Sequence, residues 1–398
     1  MRTATMFLAV ASLLFATTAF GQGSGDFRSH QSGNWNDVNS WERFDGAVWV
    51  YPAPNTPTYA DGAIAIQAGH TITVTADTTV DQVTIASGGT VVDSAGVRLT
   101  IADGTDPVDM NVDGTLANSG TINPVGVLAF GNGGLYIHAL AGGSIPTATW
   151  GTGSTCRLDS VKSSAPSNGN QNFYNIIWNC PGQSGNLNMG WNGITIGGNI
   201  TVQSTGSGRW QMCAPATNAS ATVNILGDVV QIGGQFTTNG TGNGGTTITI
   251  NQAGNIIVTG GNFSISRGSQ GGSGTTTWNL TSGNFTMSNA TTQNSNAAGA
   301  KFVFAGTGTQ VLALGAGNTL TSLPVRVNSG ATLDMGSSVL SGSGIFALDS
   351  GATLQTANPG GLDSTIKVSG TKSLSKAAVK KKARLRSRGP YRKTKTEK

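Results

Sequence analysis

The stretch Gly260-Gly261-Asn262-Phe263-Ser264-Ile265 decides the fold, because it is one variant of a unit that recurs along the chain. The variants are Gly197-Gly198-Asn199-Ile200-Thr201-Val202, Gly233-Gly234-Gln235-Phe236-Thr237-Thr238, the quoted stretch and Ser282-Gly283-Asn284-Phe285-Thr286-Met287. Their spacings are 36, 27 and 22 residues. A second unit, Asn328–Leu333, returns 21 residues later as Asp349–Leu354. A turn followed by a strand every two dozen residues is typical of the stacked coils of a solenoid.

Composition supports an all-β chain. Of 398 residues, 59 are glycine and only 10% are charged, and the abundant Thr, Ser, Asn, Val and Ile favour strands and turns over helices. We therefore predict an all-β parallel β-helix (β-solenoid), with tandem β-sandwiches as the alternative. If the units are equivalent positions of successive coils, Phe236, Phe263 and Phe285 stack in register, and Leu333 and Leu354 form a similar pair.

The N-terminus has the pattern of an export signal over residues 1–21. Arg2 precedes an apolar run from Met6 to Phe15, and small residues end at Ala19-Phe20-Gly21. A buried N-terminal helix is the alternative. No other segment approaches the ~18 apolar residues of a membrane-spanning helix, so we expect a secreted or cell-surface chain without a transmembrane segment.

The remaining sequence divides by texture into three parts. Residues 22–61 hold a concentration of aromatic residues and proline and are predicted to form an N-terminal cap, residues 62–375 carry the repeats, and residues 376–398 form a basic tail. The tail contains 11 Lys and Arg, so the net charge of +5 belongs to it and the body is mildly acidic, with no pattern for nucleic acid. Because the strand pattern stops near Ser375, we interpret the tail as non-native sequence or as a disordered, solvated segment. The functional interpretation of its charge is binding to an anionic polymer or a membrane surface.

The opening of the mature chain resembles a known group of proteins. The resemblance lies in three stretches: Ser32-Gly33-Asn34-Trp35-Asn36-Asp37-Val38-Asn39-Ser40-Trp41, Asp61-Gly62-Ala63-Ile64-Ala65-Ile66 and Gly69-His70-Thr71-Ile72-Thr73-Val74. Over about 60 residues this is similar to large secreted bacterial surface proteins, including cargo of the type IX secretion route and proteins with G8-like modules. The resemblance implies a right-handed β-helix that is extracellular or attached to a surface, and it implies no particular chemistry.

Catalytic residues are sparse. Between Ser160 and Leu333 the only carboxylate is Asp228, whereas glycosidases need paired carboxylates. The basic residues of this stretch, Arg209 and Arg267 among them, are widely spaced in the sequence. His70 stands alone and is interpreted as structural. We therefore predict no catalytic activity, with a polysaccharide lyase or hydrolase as the alternative.

Two candidate sites remain. Asp109, Asn111 and Asp113 match the opening of a calcium loop, but Gly120 stands where the bidentate glutamate belongs, so the favoured interpretation is a strand and no cofactor, with Ca²⁺ as the alternative. Trp35, Trp41, Trp49 and Tyr51 are candidates for carbohydrate binding, but the favoured interpretation is that Trp35, Trp41 and Trp49 plug the end of the helix. Two smaller questions concern scattered residues. Four further tryptophans are candidates for an outer, glycan-facing position: Trp178, Trp191, Trp210 and Trp278. The three cysteines form either one disulfide and one thiol or three buried thiols: Cys156, Cys180 and Cys213.

The sequence thus predicts a structural or adhesive protein, whose partner is an extracellular polysaccharide or another surface protein. The alternative is a carbohydrate-active protein that binds or degrades polysaccharide on the same scaffold.

Overall fold

The computed structural model describes residues 22–240, 244–267, 274–293, 299–315, 320, 323–342 and 344–362, and the backbone of 367–370. The predicted signal peptide (1–21) and basic tail (376–398) lie outside the described residues.

The strands are short and follow one another closely, with a 3-10 turn at Val38–Ser40. Those of the first half are β1 (Phe27–Ser29), β2 (Gly33–Asn34), β3 (Trp41–Phe44), β4 (Trp49–Val50), β5 (Ile64–Ile66), β6 (Thr71–Val74), β7 (Thr78–Val80), β8 (Val83–Ile85), β9 (Thr90–Asp93), β10 (Arg98–Ile101), β11 (Met110–Val112), β12 (Thr115–Asn118), β13 (Thr121–Pro124), β14 (Leu128–Phe130), β15 (Leu135–His138), β16 (Thr149–Trp150), β17 (Thr155–Leu158) and β18 (Asn175–Asn179). Those of the second half are β19 (Asn186–Asn188), β20 (Ile194–Ile196), β21 (Ile200–Ser204), β22 (Arg209–Cys213), β23 (Ser220–Ile225), β24 (Val229–Gln231), β25 (Gln235–Asn239), β26 (Thr247–Gln252), β27 (Ile256–Val258), β28 (Asn262–Ser266), β29 (Thr275–Leu280), β30 (Phe285–Met287), β31 (Thr291–Thr292), β32 (Ala300–Phe304), β33 (Thr309–Leu314), β34 (Val325–Val327), β35 (Thr332–Asp334), β36 (Ile345–Leu348), β37 (Thr353–Gln355) and β38 (Lys367–Gly370).

The strands form five sheets, which we number by face. Sheet 1 has 14 strands, in the order β2-β6-β9-β12-β15-β17-β18-β21-β24-β27-β30-β33-β35-β37. Sheet 2 is β16-β14-β11-β8-β5-β1-β3-β4, and sheet 3 is β13-β10-β7. Sheet 4 is β19-β22-β25-β28-β31, and sheet 5 is β20-β23-β26-β29-β32-β34-β36-β38.

A complete turn contributes one strand to each of three faces, whereas the turns formed by β14–β17 and by the strands after β31 contribute strands to two faces. In the first half the faces are sheets 2, 1 and 3, and in the second half they are sheets 5, 1 and 4. Among the described strand pairs, only β1 with β3 and β3 with β4 are antiparallel. The chain is therefore a parallel β-solenoid of about 11 turns, which confirms the predicted fold, and the alternative of tandem β-sandwiches is wrong.

Sheet 1 shows why this sequence forms coils. Its strands alternate apolar and polar residues, so one side chain in two points into the solenoid. The inward positions lie in register from turn to turn and are fully buried, at Ile72, Val91, Leu116, Tyr136, Cys156, Ile176, Ile200, Val229, Ile256, Phe285 and Leu312. The core is consequently one continuous column, in which each residue is packed between its equivalents above and below.

Aromatic rings fill the column in the second half. Trp178 stacks on Trp210 with ring centroids 4.9 Å apart, and Trp210 stacks on Phe236 at 5.0 Å. All four tryptophans proposed for an outer face, Trp178, Trp191, Trp210 and Trp278, are completely buried. That expectation was wrong, because the surrounding Asn and Gly residues occupy the corners while the indoles point inward.

The predicted phenylalanine stack is correct in part. Phe236 and Phe263 are register partners on sheet 4, and Leu333 pairs with Leu354 on sheet 1. Phe285 instead lies on sheet 1, between Ile256 and Leu312, and meets Phe263 edge-on at 5.8 Å. The Gly-Asn-Phe unit marks a corner of the solenoid, and such corners precede strands of both sheet 1 and sheet 4. Two copies of the unit can therefore lie on different sheets.

The three cysteines are free and buried. Burial raises the pKa of the Cys156 thiol well above its usual range, and it raises the pKa of Cys180 and Cys213 to about 12. Of the two alternatives, three buried, unreactive thiols is correct.

We expect Phe263→Ala to lower the free energy of unfolding by about 3–5 kcal/mol, because it opens a cavity between Phe236, Trp278 and Phe285. Leu226→Ala is the control, since Leu226 is 57% exposed, and its effect should stay within about 0.5 kcal/mol. Urea unfolding followed by tryptophan fluorescence measures both. Equal effects of the two variants would contradict the continuous core.

Candidate functional site

Two of the four aromatic residues proposed for sugar binding form a plug at the N-terminal end. Trp35 and Trp41 are buried, with ring centroids 5.0 Å apart. The Trp35 indole N–H donates to the Pro57 carbonyl at 2.9 Å, and the Trp41 indole N–H donates to the Trp35 carbonyl at 2.8 Å. Their faces are closed to a ligand, so the sugar-binding prediction does not hold for Trp35 and Trp41, which occupy the position of a cap.

The other two aromatic residues lie on the outer side of the cap. The Arg28 guanidinium sits 4.3 Å from the centroid of the Trp49 ring, and the His30 ring stacks on Tyr51 at 3.8 Å. Glu42 contacts both Arg28 and His30. Its carboxylate accepts a hydrogen bond from Arg28 Nε at 2.5 Å and lies 2.7 Å from His30 Nδ1. Burial would raise the pKa of Glu42, but these two partners outweigh it and the pKa is lowered. The result is a rigid, partly exposed aromatic pair, and sugar binding by Trp49 and Tyr51 stays a prediction.

His70 fastens the cap to the first turn. Its Nδ1 lies 2.8 Å from Ser29 Oγ, and the same hydroxyl accepts from the Gln67 backbone N–H at 2.9 Å. Ser29 is fully buried and His70 is half-buried, so this contact joins the cap to the first turn.

The proposed calcium ligands do not share one site in the structure. Asn111 and Asp113 lie on the outer side of β11 and its end, where the Asn111 amide donates to Asp113 at 2.9 Å. Asp109 is fully buried, and its two oxygens accept from the backbone N–H groups of Gly104 (2.8 Å) and Val127 (2.5 Å). Among the described residues there is no group of three His, Cys, Asp or Glu side chains placed to hold a metal ion. Calcium stays the alternative, and the strand interpretation needs one change, because Asp109 holds a loop and does not face water.

Asp109 also shares a hydrogen bond with Asp81 from the preceding turn. Burial raises the pKa of Asp81, and the carboxylate of Asp109 raises it further. Burial acts on Asp109 too, but the N–H groups of Gly104 and Val127 outweigh it, so its pKa is lowered. The two carboxyl groups are thus in direct contact, which is closer than the ~5 Å separation that retaining glycosidases need.

We expect Asp109→Asn to lower the free energy of unfolding by about 2 kcal/mol, because an amide nitrogen would face a backbone N–H and one acceptor would be lost. Asp113→Asn is the control and should cost about 0.5 kcal/mol or less. The melting temperature should be the same in millimolar calcium and in chelator. A calcium-dependent rise that both substitutions abolish would restore the calcium site.

Sequence reasoning missed a polar cluster inside the solenoid. Asp93, Asn118 and His138 occupy one inward register position in three successive turns, and all are buried. The Asn118 amide donates to the Tyr136 hydroxyl at 2.9 Å, that hydroxyl lies 3.1 Å from His138 Nδ1, and His138 Nε2 lies 2.6 Å from the Gly142 carbonyl. The signal was the break in apolar alternation at the same position of three strands.

Asp93 is the unsatisfied member of this cluster. Its carboxylate oxygens are buried without a side-chain partner, and burial, with the nearby charge of Asp77, raises its pKa to about 7. Burial lowers the pKa of His138, which is therefore neutral. Asp93 is therefore uncharged below about pH 7, whereas His138 is uncharged at neutral pH.

Stability should respond to pH through Asp93. The folded protein keeps a proton between about pH 4 and 7 that the unfolded chain releases, so the Asp93 contribution falls as pH rises through this window and stays low above pH 7. Asp93→Asn removes this penalty, so the variant should exceed wild type by about 3 kcal/mol at pH 8 and by less at pH 5.

The comparison between variant and wild type cancels the opposite contribution of His138, which destabilises the fold below pH 6.5. Asp113→Asn serves as the control, and thermal melts from pH 5 to 8 provide the measurement. A gap between Asp93→Asn and wild type that does not change with pH would refute the assignment.

A regular array of polar side chains covers the outer side of sheet 5. Three successive strands, β23, β26 and β29, pair in register and present the same kind of residue at each outward position. The Asn251 amide donates to Asn224 at 3.1 Å, and the Asn279 amide donates to Asn251 at 3.0 Å. The nine residues of this polar array are Ser220, Thr222, Asn224, Thr247, Thr249, Asn251, Thr275, Thr277 and Asn279. Its rows are ~4.8 Å apart across the strands and ~6.7 Å apart along them.

In comparisons with known proteins, no protein-family model, curated protein or solved structure matches the chain. In the part of the chain that the structure describes, no helix is long and apolar enough to cross a membrane.

Proposed function

We propose that this chain is a secreted or cell-surface protein with a structural or adhesive role, and that its partner is an extracellular polysaccharide. The β-solenoid serves as a rigid, extended scaffold, and its outer faces make the contacts. Another surface protein is the alternative partner.

The observation that carries this proposal is the polar array on sheet 5. Short hydroxyl and amide side chains are held in fixed rows by strand pairing and by the Asn224–Asn251–Asn279 hydrogen bonds. Because Ser, Thr and Asn lose little side-chain entropy when a ligand binds, such a surface suits many weak contacts with the repeating hydroxyl groups of a polysaccharide.

The aromatic pair of the cap supports the same function. Tyr51 is 45% exposed, and Trp49 is held in place by Arg28. Aromatic faces and edges combine apolar contact with a polar tip, a combination that fits the alternating apolar and hydroxyl surfaces of a sugar ring.

The absence of catalytic activity is part of the proposal. The Asp81–Asp109 pair shares a hydrogen bond, and a water molecule or a sugar carbon needs more room between two carboxyl groups. Secretion and kinship with the type IX cargo and G8-like proteins rest on residues 1–21 and on the similarity that begins at Ser32.

Binding to insoluble cellulose and chitin tests the proposal. We expect the full chain to be depleted from solution by at least one of them. Thr249→Lys places a long charged side chain at the centre of the polar array and should reduce binding at least 10-fold, about 1.4 kcal/mol. Trp49→Ala should reduce it less if the cap is a secondary contact.

Two matched variants control for general effects. Thr84→Lys makes the same substitution at an outward position of sheet 2, and Tyr59→Ala removes an exposed aromatic residue that lies outside the aromatic pair. Wild-type binding that Thr249→Lys leaves unchanged would remove the polar array from the proposal. Release of reducing sugar from either polymer, abolished by Asp81→Asn, would favour the hydrolase alternative.

A further inference from the structure

Two arginines that are 58 residues apart in the sequence frame one outer face of the solenoid. Arg209 is the first residue of β22, and Arg267 follows the last residue of β28, two strands away on sheet 4. The sequence suggested isolated cations at these positions, but β25 is the only strand between them.

Both side chains start on the outer side of sheet 4. Trp210 is buried in the core, so its neighbour Arg209 points outward by strand alternation. The Arg267 N–H donates to the Asn239 carbonyl at 2.7 Å, which makes Arg267 the equivalent of Gly240 in the preceding turn. A Cβ at Gly240 would overlap the side-chain amide of Gln211 on the outer side. The same geometry one turn later directs Arg267 over Thr237, the register partner of Gln211.

Between the two arginines lies a polar floor. Gln211, Thr237 and Ser264 are successive register partners on the outer side of sheet 4, and all three are buried. Outward residues of sheets 1 and 5 are mostly half-exposed, so this face is more enclosed than the others. All three are closed to solvent, so the half-buried arginine side chains are the accessible part of this face.

No carboxylate of the described residues is paired with either guanidinium group. Arg209 Nε, Arg267 Nε and Arg267 Nη1 are shielded from solvent and have no hydrogen-bond partner. The ion pairs of the described residues involve other cations, and Asp228, the one carboxylate between Ser160 and Leu333, is bonded to Asn255. Burial lowers the pKa of both arginines, and the charge of Arg267 lowers the pKa of Arg209 further.

We propose that Arg209 and Arg267 bind the carboxylate or sulfate group of an acidic polysaccharide across the outer face of sheet 4. Guanidinium groups bind such oxyanions through paired N–H donors, which would satisfy the donors that the chain leaves unpaired. The choice of a polymer over a free anion rests on the proposed function, whereas the anion site itself does not.

Calorimetric titration of the full-length protein with a tetramer of galacturonate tests the proposal. We expect binding by wild type and a loss of at least 10-fold in affinity in Arg209→Gln/Arg267→Gln. The Arg209→Lys/Arg267→Lys variant keeps the positive charges but lacks the paired N–H donors of the guanidinium group. Its affinity should fall between those of wild type and the glutamine variant. Arg98→Gln removes an exposed arginine from β10 and should bind like wild type.

Two further measurements identify the source of the anion. The basic tail is present in every variant, so it does not contribute to the differences between them. A neutral galactose tetramer should not bind at these arginines, and free sulfate should compete only weakly. The glutamine variant should melt no lower than wild type, because the mutual repulsion of the arginines is removed.

Unchanged affinity in the glutamine variant would overturn the site. Tight binding of sulfate without binding of the tetramer would overturn the polysaccharide assignment. If the arginines bind galacturonate while Thr249→Lys leaves cellulose and chitin binding intact, this inference stands and the proposed role of the polar array fails.

Discussion

Register between successive turns is the constraint on which the whole structure depends. Parallel strand pairing places each residue directly above its equivalent, so a side chain in the column is packed against the same position one turn away. A residue unsuited to the interior therefore disturbs two neighbours as well as itself. Asn118 and His138 are tolerated inside because both contact the Tyr136 hydroxyl, whereas Asp93, in the adjacent turn, has no side-chain partner.

The same register explains what the sequence could and could not predict. The Ser-Gly-Ala-Thr-Leu unit gave the correct pairing of Leu333 with Leu354, because both copies follow the same corner. Phe285 was misplaced because similar corners precede strands of sheets 1 and 4. Spacing reports that a turn exists, but the loop lengths that decide which face follows vary from turn to turn.

The candidate sites were harder to predict than the fold. Trp35 and Trp41 are indistinguishable from Trp49 by composition, and only the packing of the end of the solenoid separates buried from exposed indoles. Arg209 and Arg267 are unremarkable in the linear chain and become neighbours only when two turns are stacked. Asp109 fitted a metal motif by spacing, but the loop that reaches Gly104 uses its oxygens for backbone N–H groups.

The change of faces midway along the chain has a mechanical consequence. Sheets 2 and 3 end at β16 and β13, sheets 4 and 5 begin at β19 and β20, and sheet 1 alone passes through the junction. A tensile load applied between the two ends crosses that junction through the hydrogen bonds of β17 with β18 and a few bonds between loops, such as that of the Ile145 N–H with the Ser167 carbonyl, without a second continuous sheet. Because the fewest strand pairs resist extension there, we expect the junction to yield to force before either half.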